Sequence, residues 1–377
     1  MKIPRSATSL LIAIEAIAMV VVLVLCIVHP WATKPKNDLG GNNTEIVDNQ
    51  NGTQENTENT IGSVIGSDTE MESESEIKEV EVVFSEEVLA KVEAMTTEQK
   101  VAQLFIITPE TLTGADKVTV TGNTTKNAIN QYPVGGLVYS SHNFKGKEQT
   151  KKMLEGAQNH YMSQFNIPVF LMISEQGGPE SSPLATTVHY NIEAAPSEIG
   201  ATADAQKAID AATNISAYLN EVGFNVNIAP NVDYYSQDDS VSSIMVAETI
   251  STYEQKGIST VMFTFTSDKA GAAEEDVLVY QAGIDAGCDA IMVSGATKDM
   301  VHYLRTNMQY GGLLIHDALA TENVVTAVQA GVDMMYCPEN FKEAYQAVLD
   351  AVNAGTIEKE DLDTAVARIL TCKANYE

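Results

Sequence analysis

Near the carboxyl terminus, the apolar run Leu313-Leu314-Ile315 is followed directly by His316 and Asp317. A short apolar run of this kind is typical of a strand that is buried on both faces, so a carboxylate at its end needs an explanation. Asp317 could cap the helix that follows, because Asp is a preferred N-cap residue. It could also be a catalytic carboxylate, since the active sites of α/β barrels lie where the strands end. The fold predicted for the rest of the chain is needed to choose between these two interpretations.

Seven further apolar runs of similar length occur in the carboxyl-terminal part of the chain, which makes eight. They are QLFIIT from Gln103, GGLVYS from Gly135, VFLMIS from Val169, FNVNIA from Phe224, TVMFTF from Thr260, AIMVSG from Ala290, GLLIHD from Gly312 and VDMMYC from Val332. Helical periodicity separates the runs, and glycines such as Gly223 and Gly287 stand just before a strand. Eight such units predict an α/β fold, a TIM (β/α)8 barrel over residues 84–377. A doubly wound open sheet is the alternative, but no glycine-rich phosphate loop follows the first run.

The amino-terminal part has a different composition. Residues 10–28 form an apolar run with one charged residue, Glu15. A helix of this length can cross the roughly 30 Å of a bilayer core, so residues 1–32 are predicted to be a cytoplasmic stub and a transmembrane signal anchor. A cleaved signal peptide is the first alternative, and a lipoprotein signal ending at Cys26 is a weaker one, because no small residue precedes that cysteine. We expect a single-pass protein of the cell membrane with its carboxyl-terminal domain outside the cytoplasm.

Between the predicted anchor and the barrel, residues 33–83 are rich in Asn, Thr, Ser and Glu. Such a composition buries too little apolar surface to offset the entropy of ordering, so it predicts a disordered acidic tether. The whole chain has a formal net charge of -29. This charge argues against a nucleic-acid partner, which would require a basic surface. The cysteines and histidines show no ligand-pair spacing, so we expect neither a metal nor a cofactor.

Eight phrases along the predicted barrel carry a family resemblance. They are MTTEQKVAQLF from Met95, VGGLVYSSHNF from Val134, EIGATAD from Glu198, LNEVGFNVNIAPNVD from Leu219, AGCDAIMVS from Ala286, YGGLLIHDAL from Tyr310, QAGVDMMYCP from Gln329 and AVARIL from Ala365. In this order they resemble the amino-terminal barrel of glycoside hydrolase family 3, and most of all its single-domain β-N-acetylhexosaminidases, which act on peptidoglycan fragments. The resemblance implies a retaining glycosidase with Asp317 as its nucleophile and a glycan or peptidoglycan fragment as its partner.

The residues that should supply the acid and hold the sugar differ from the family pattern. The Lys-His pair at the end of the fifth strand is replaced by Phe263 and Thr264, and no histidine occurs between His189 and His302 to act as acid/base. The Asp that holds sugar hydroxyls in the family is replaced by Ser174. Two Arg positions and a His position of the family are occupied here by Pro179, Ser182 and Gly295. The resemblance therefore implies weak or lost hydrolysis, and a catalytically inactive glycan- or protein-binding module at the bacterial surface is the alternative.

Other polar residues near strand ends also have structural interpretations. The acidic residues 274–276 follow the fifth strand, where an acid/base could reach the site, but acidic side chains also favour a helix N-terminus. We expect His316 to pack between the barrel and a helix, and His142 to lie on the rim. Asp333 should be buried in the eighth strand with a hydrogen-bonded partner, because an unpaired buried carboxylate is costly.

Overall fold

The computed structural model describes residues 78–271, 277–317 and 320–376, and within these ranges eight parallel strands form a closed barrel in sequence order. They are β1 (Phe105–Ile107), β2 (Gly136–Val138), β3 (Phe170–Ile173), β4 (Val226–Asn227), β5 (Ser259–Thr266), β6 (Ala290–Ser294), β7 (Leu313–His316) and β8 (Met334–Tyr336). Each strand falls at one of the eight apolar runs of the sequence. The predicted TIM barrel is therefore confirmed.

Helices alternate with the strands. Up to β4 they are α1 (Glu86–Ala94), α2 (Thr97–Gln103), α3 (Pro109–Thr113), α4 (Asn123–Gln131), α5 (Lys147–Phe165), α6 (Pro183–Val188), α7 (Pro196–Gly200) and α8 (Ala205–Val222). After β4 they are α9 (Asp239–Gln255), α10 (Leu278–Asp285), α11 (Lys298–Thr306), α12 (Val324–Gln329), α13 (Phe341–Asn353) and α14 (Lys359–Lys373). The strands are apolar at successive positions because the barrel interior covers one face and the helices cover the other.

Local signals in the sequence set the ends of the helices. The side chain of Asp204 accepts a hydrogen bond from the backbone N–H of Gln206 and so begins α8. Gly223 ends the same helix with a φ of 99°, in the left-handed region where glycine carries no steric penalty. The chain can therefore turn from α8 into β4 within three residues, at Val226.

Side-chain alternation decides which residues at the end of β7 face the barrel interior. Leu313 and Ile315 line the interior space. Successive side chains of a strand point to opposite faces, and Asp317 follows directly after the last residue of the strand. His316 falls on the outer side, towards the helices.

A buried charge network lies at the amino-terminal end of the barrel. Asp333 is 1% exposed, and its Oδ2 lies 2.9 Å from Nη2 of Arg305, while its Oδ1 lies 3.2 Å from Nη1 of Arg368. Oδ2 also accepts a hydrogen bond from the backbone N–H of Leu314, at 2.8 Å. The predicted burial and partners of Asp333 are confirmed. The residue directly precedes β8, which begins at Met334, rather than lying within it.

Residues 78–83, which belong to the predicted tether, contact this same end of the barrel. The backbone N–H of Val80 donates to the carbonyl oxygen of Arg305 at 3.0 Å, and Nε2 of Gln309 donates to the carbonyl oxygen of Lys78 at 2.9 Å. Arg305 and Gln309 lie at the end of α11 and in the loop that leads to β7. The described chain thus approaches the barrel from the amino-terminal ends of its strands.

The predicted signal anchor of residues 1–32 and the tether up to residue 77 lie outside the described residues, so these assignments stay predictions. Within the described ranges, no helix combines the length and the apolar character that crossing a bilayer would require.

Candidate active site

Asp317 lies at the carboxyl-terminal mouth of the barrel, directly after β7. Its backbone N–H donates to the carbonyl oxygen of Val293 in β6 at 3.1 Å, and its side chain is 23% exposed. The next two helical segments have Ala320 and Asn323 as their N-cap residues. Asp317 is therefore the N-cap of neither of these described segments. The structure leaves a partly exposed carboxylate at the mouth, and its catalytic role stays a prediction.

His316 contacts the carboxylate of Asp317. Its Nδ1 lies 3.1 Å from Oδ1 and 2.9 Å from the carbonyl oxygen of Asp317. Its Nε2 lies 3.2 Å from the backbone nitrogen of Ala296, whose N–H makes Nε2 an acceptor. A neutral imidazole carries one proton, so that proton belongs on Nδ1, which donates to the carbonyl oxygen of Asp317 and lies close to its carboxylate. The ring is 5% exposed, as the predicted packing requires, but its contact with Asp317 was not predicted.

The end of β5 shows what replaces the family's Lys-His pair. The pairing of β5 with β6 shifts register in the second half of the strand. Phe263 lies within this irregular part of the strand and is 2% exposed. Phe265 faces outwards, with its ring centroid 5.1 Å from that of Tyr280 and 6.2 Å from that of Tyr303. Both rings are therefore buried near the end of β5, and that of Phe265 packs against α10 and α11.

The loop after β3 binds the protein's own backbone. The hydroxyl of Ser174 donates to the carbonyl oxygen of Ile228 at 3.0 Å, and Nε2 of Gln176 donates to the same oxygen at 2.9 Å. Oε1 of Gln176 accepts a hydrogen bond from the backbone N–H of Asn231 at 3.1 Å. Both side chains are buried. These hydrogen bonds join the ends of β3 and β4, at the place where the family has a sugar-binding Asp.

Glu175, in the same loop, is fully buried. Its carboxylate accepts hydrogen bonds from the backbone N–H groups of Leu184 (2.9 Å) and Ala185 (3.0 Å) in α6, and from the hydroxyl of Tyr218 (3.0 Å). Burial raises the pKa of Glu175 to about 7, and the three hydrogen bonds act in the opposite direction. Glu175 therefore holds the start of α6 in place and is not open to a ligand.

The other candidate residues lie on the rim or outside the described ranges. His142 is exposed, as predicted, and its Nε2 lies 3.2 Å from the carbonyl oxygen of Asp116. The acidic residues 274–276 lie outside the described residues. In the part of the chain that the structure describes, the His, Cys, Asp and Glu side chains form no group of three or more that could hold a metal ion.

Sequence reasoning missed the link between His316 and Ala296, because it joins the ends of two neighbouring strands. The sequence nevertheless contained one indication of this link. The family histidine near the end of the sixth strand is replaced by Gly295, and a histidine stands instead directly before Asp317. Only the pairing of β6 with β7 brings the two positions together.

Comparison with known proteins supplies the family. A family model described as glycosyl hydrolase family 3 N terminal domain matches residues 96–261 and 254–372. The chain belongs to glycoside hydrolase family 3. The resemblance carried by the eight sequence phrases is thereby confirmed, and the barrel described above is a family 3 amino-terminal barrel.

Several relatives of this family 3 barrel are named hexosaminidases. The chain is 21% identical to beta-hexosaminidase A of Pseudoalteromonas piscicida, over 65% of this chain and 54% of that protein, so it spans about half of that relative's length. A family 3 β-N-acetylglucosaminidase from Paenibacillus sp. str. FPU-7 superposes with a TM-score of 0.67 at 22% identity, covering 75% of this chain and 63% of that one. A β-N-acetylhexosaminidase from Beutenbergia cavernae DSM 12333 gives 0.63 at 18% identity, covering 74% and 99%. At such identities the likeness to the solved structures shows the fold.

Proposed function

We propose that this family 3 barrel binds a terminal β-linked N-acetylhexosamine of cell-wall glycan at its carboxyl-terminal mouth and hydrolyses it slowly, with Asp317 as the nucleophile. The observation that carries the proposal is the partly exposed carboxylate of Asp317, which lies at the mouth and is the N-cap of neither helical segment described after it. Relatives named β-hexosaminidase and β-N-acetylglucosaminidase support the class of substrate.

Slow turnover follows from the residues around the nucleophile. In a retaining reaction a carboxylate attacks the anomeric carbon while a second group protonates the leaving oxygen. This chain has no histidine between His189 and His302 to act as that acid, and it has Phe263 and Thr264 at the family's Lys-His positions. General acid-base catalysis typically contributes about 10²–10⁴-fold to a rate, and natural glycans should react more slowly by about that factor.

A catalytically inactive glycan- or protein-binding module at the bacterial surface is the second candidate. The loop after β3 favours it. Ser174 and Gln176 direct their hydrogen bonds to the carbonyl oxygen of Ile228, so they stabilise the fold where the family would hold a sugar.

We also propose that residues 1–32 anchor the protein in the cell membrane with the barrel outside the cytoplasm. The apolar run of residues 10–28 supports this placement. The position of residues 78–83 supports it too. They contact the amino-terminal end of the barrel, so the mouth with Asp317 would face away from the anchor and towards the wall.

A substrate with a very good leaving group separates the two candidate functions, because its departure needs little protonation. With a dinitrophenyl β-N-acetylglucosaminide, the wild-type chain should release dinitrophenolate and carry a covalent adduct on Asp317, detected by mass spectrometry. Asp317→Ala should abolish both signals. Asp299→Ala, which changes an exposed carboxylate of α11, is the matched control and should react like the wild type.

Two results would contradict the proposal in different ways. Rapid hydrolysis of a natural glycan would show that an effective acid reaches the site, against the slow turnover expected here. If neither substrate reacts and Asp317→Ala binds glycan as the wild type does, the nucleophile assignment fails and the binding module is favoured.

A further inference from the structure

We propose that His316 is a positioning residue for Asp317: its Nδ1–H is shared between the carbonyl oxygen and the adjacent Oδ1 of Asp317, and this contact orients the attacking carboxylate. This inference rests on the proposed role of Asp317 as nucleophile. Nδ1 of His316 lies within hydrogen-bond distance of both Oδ1 and the carbonyl oxygen of Asp317. The hydrogen bond of Nδ1 goes to the carbonyl oxygen at 2.9 Å, and Oδ1 of the carboxylate lies beside it, 3.1 Å from the same nitrogen.

The imidazole is itself held in one orientation. The backbone N–H of Ala296 points to Nε2 at 3.2 Å, so this nitrogen cannot carry the proton of the neutral ring. Ala296 follows Gly295, whose φ of 65° lies in the left-handed region that residues with a side chain rarely adopt. The backbone after β6 thus fixes the tautomer of a histidine on β7, and that tautomer has its proton on the side of Asp317.

This arrangement suits a nucleophile. A carboxylate at the end of a strand can rotate about its side-chain bonds, and holding one oxygen leaves the other to approach a sugar in a defined direction. During attack, a bond forms between a carboxylate oxygen of Asp317 and the anomeric carbon. The bond from that carbon to the leaving oxygen breaks, and the leaving group departs with the electron pair. His316 keeps its proton throughout, so it positions the nucleophile without acting as the acid.

Two amide substitutions distinguish positioning from simple packing. His316→Asn places an amide N–H close to the position of Nδ1 and can still donate to Asp317. His316→Gln places its amide near the position of Nε2, where it can accept from Ala296 but no longer reaches the carboxylate. Both variants remove the imidazole ring, so a packing role alone would affect them alike.

The measurement is the rate of dinitrophenolate release by the full chain from the dinitrophenyl β-N-acetylglucosaminide. We expect His316→Gln to slow release by roughly tenfold or more, the value of a charge-assisted hydrogen bond, and His316→Asn to recover most of the rate. His302→Asn, an exposed histidine of α11, serves as the control. Equal losses in both His316 variants, or losses that only follow their unfolding temperatures, would overturn the inference.

Nitrogen NMR of histidine-labelled protein gives a readout that needs no turnover. The signals of His316, assigned by their loss in His316→Asn, should show a protonated Nδ1 and a bare Nε2, and Asp317→Asn should shift the Nδ1 resonance. A proton on Nε2, or an Nδ1 signal that is insensitive to Asp317→Asn, would overturn the contact. If the wild type does not react with the dinitrophenyl substrate, the proposed function fails and the NMR result alone decides whether His316 orients Asp317.

Discussion

Asp317 and Glu175 are both carboxylates at strand ends of this barrel, but they differ in exposure and in their contacts. Asp317 is 23% exposed and is contacted by the imidazole of His316. Glu175 is fully buried and accepts hydrogen bonds from two backbone N–H groups and from the hydroxyl of Tyr218. The desolvation of Glu175 outweighs these hydrogen bonds and raises its pKa to about 7. The carboxylate of Asp317 is accessible to a ligand, whereas the carboxylate of Glu175 stabilises the fold.

We expect Glu175 to make the stability of the barrel depend on pH. Its pKa in the folded protein, about 7, lies above the ordinary value of 4.5. The stability that the protonated form provides is therefore fully present below about pH 4.5 and is lost as the pH rises through about 7. Because Glu175→Gln cannot ionise, the free energy of unfolding of the wild type relative to this variant should fall by on the order of 3 kcal/mol across that window.

Urea denaturation of both proteins at a series of pH values measures this difference. Glu180→Gln, in the exposed part of the same loop, is the control and should follow the wild-type profile. Parallel profiles for the wild type and Glu175→Gln would show that Glu175 does not titrate in this range.

At the scale of elements, one side chain holds several parts of the barrel together. Asp333 binds Arg305 of α11, Arg368 of α14 and the backbone of Leu314 in β7, and it stands directly before β8. The side chain of Arg305 is 4% exposed. Removing the carboxylate would leave a buried guanidinium without its counter-charge, which is the costly outcome for a buried ion pair.

Asp333→Leu should therefore lower the free energy of unfolding by about 3–5 kcal/mol. A tether substitution such as Glu72→Ala should change it by no more than about 0.5 kcal/mol, because the composition of this segment disfavours packed structure. Thermal and urea denaturation of the two variants check this. Equal stabilities would argue against the register in which Asp333 precedes β8.

Substitutions in the loop after β6 test whether this loop affects the candidate active site. Gly295 and Gly114 both have a left-handed φ, 65° and 72°, and a Cβ added to either would meet no atom closer than 3.7 Å. Gly295→Ala and Gly114→Ala should therefore lower stability by a similar amount, about 1 kcal/mol. Only Gly295→Ala should also slow dinitrophenolate release, because it disturbs the N–H of Ala296 that holds His316. Equal release rates in the two variants would contradict the role of this loop.

The sequence was a good guide to the strands and a poorer one to the contacts between them. The strands are predictable because burial on both faces makes their residues apolar at successive positions. The place of Asp317 follows from the same local pattern, since it directly follows β7. The contact of His316 with Ala296 requires the pairing of β6 with β7, and the hydrogen bonds of Glu175 to α6 require the fold of the intervening loop. Neither set of contacts can be predicted from a short stretch of residues.

At the scale of the whole molecule, the two ends of the barrel have different roles. Residues 78–83 contact the amino-terminal ends of the strands through Val80 and Lys78. Asp317 lies at the opposite end, at the mouth. Because the preceding residues reach the barrel at one end, the mouth at the other end can stay clear of any structure to which they are attached. The acidic composition of residues 33–77 suits this role, because like charges extend a chain.

This arrangement predicts how the protein responds to protease added to intact cells. If residues 1–32 form an uncleaved anchor and the barrel lies outside, cleavage should occur in the tether, where the composition disfavours packed structure. It should release a soluble fragment that begins before residue 78, since residues 78–83 are hydrogen-bonded to the barrel. Amino-terminal sequencing of the fragment and its reaction with the dinitrophenyl substrate are the measurements, with a cytoplasmic protein as the control for intact cells. Digestion only after lysis would place the barrel in the cytoplasm, and release without protease would favour a cleaved signal peptide.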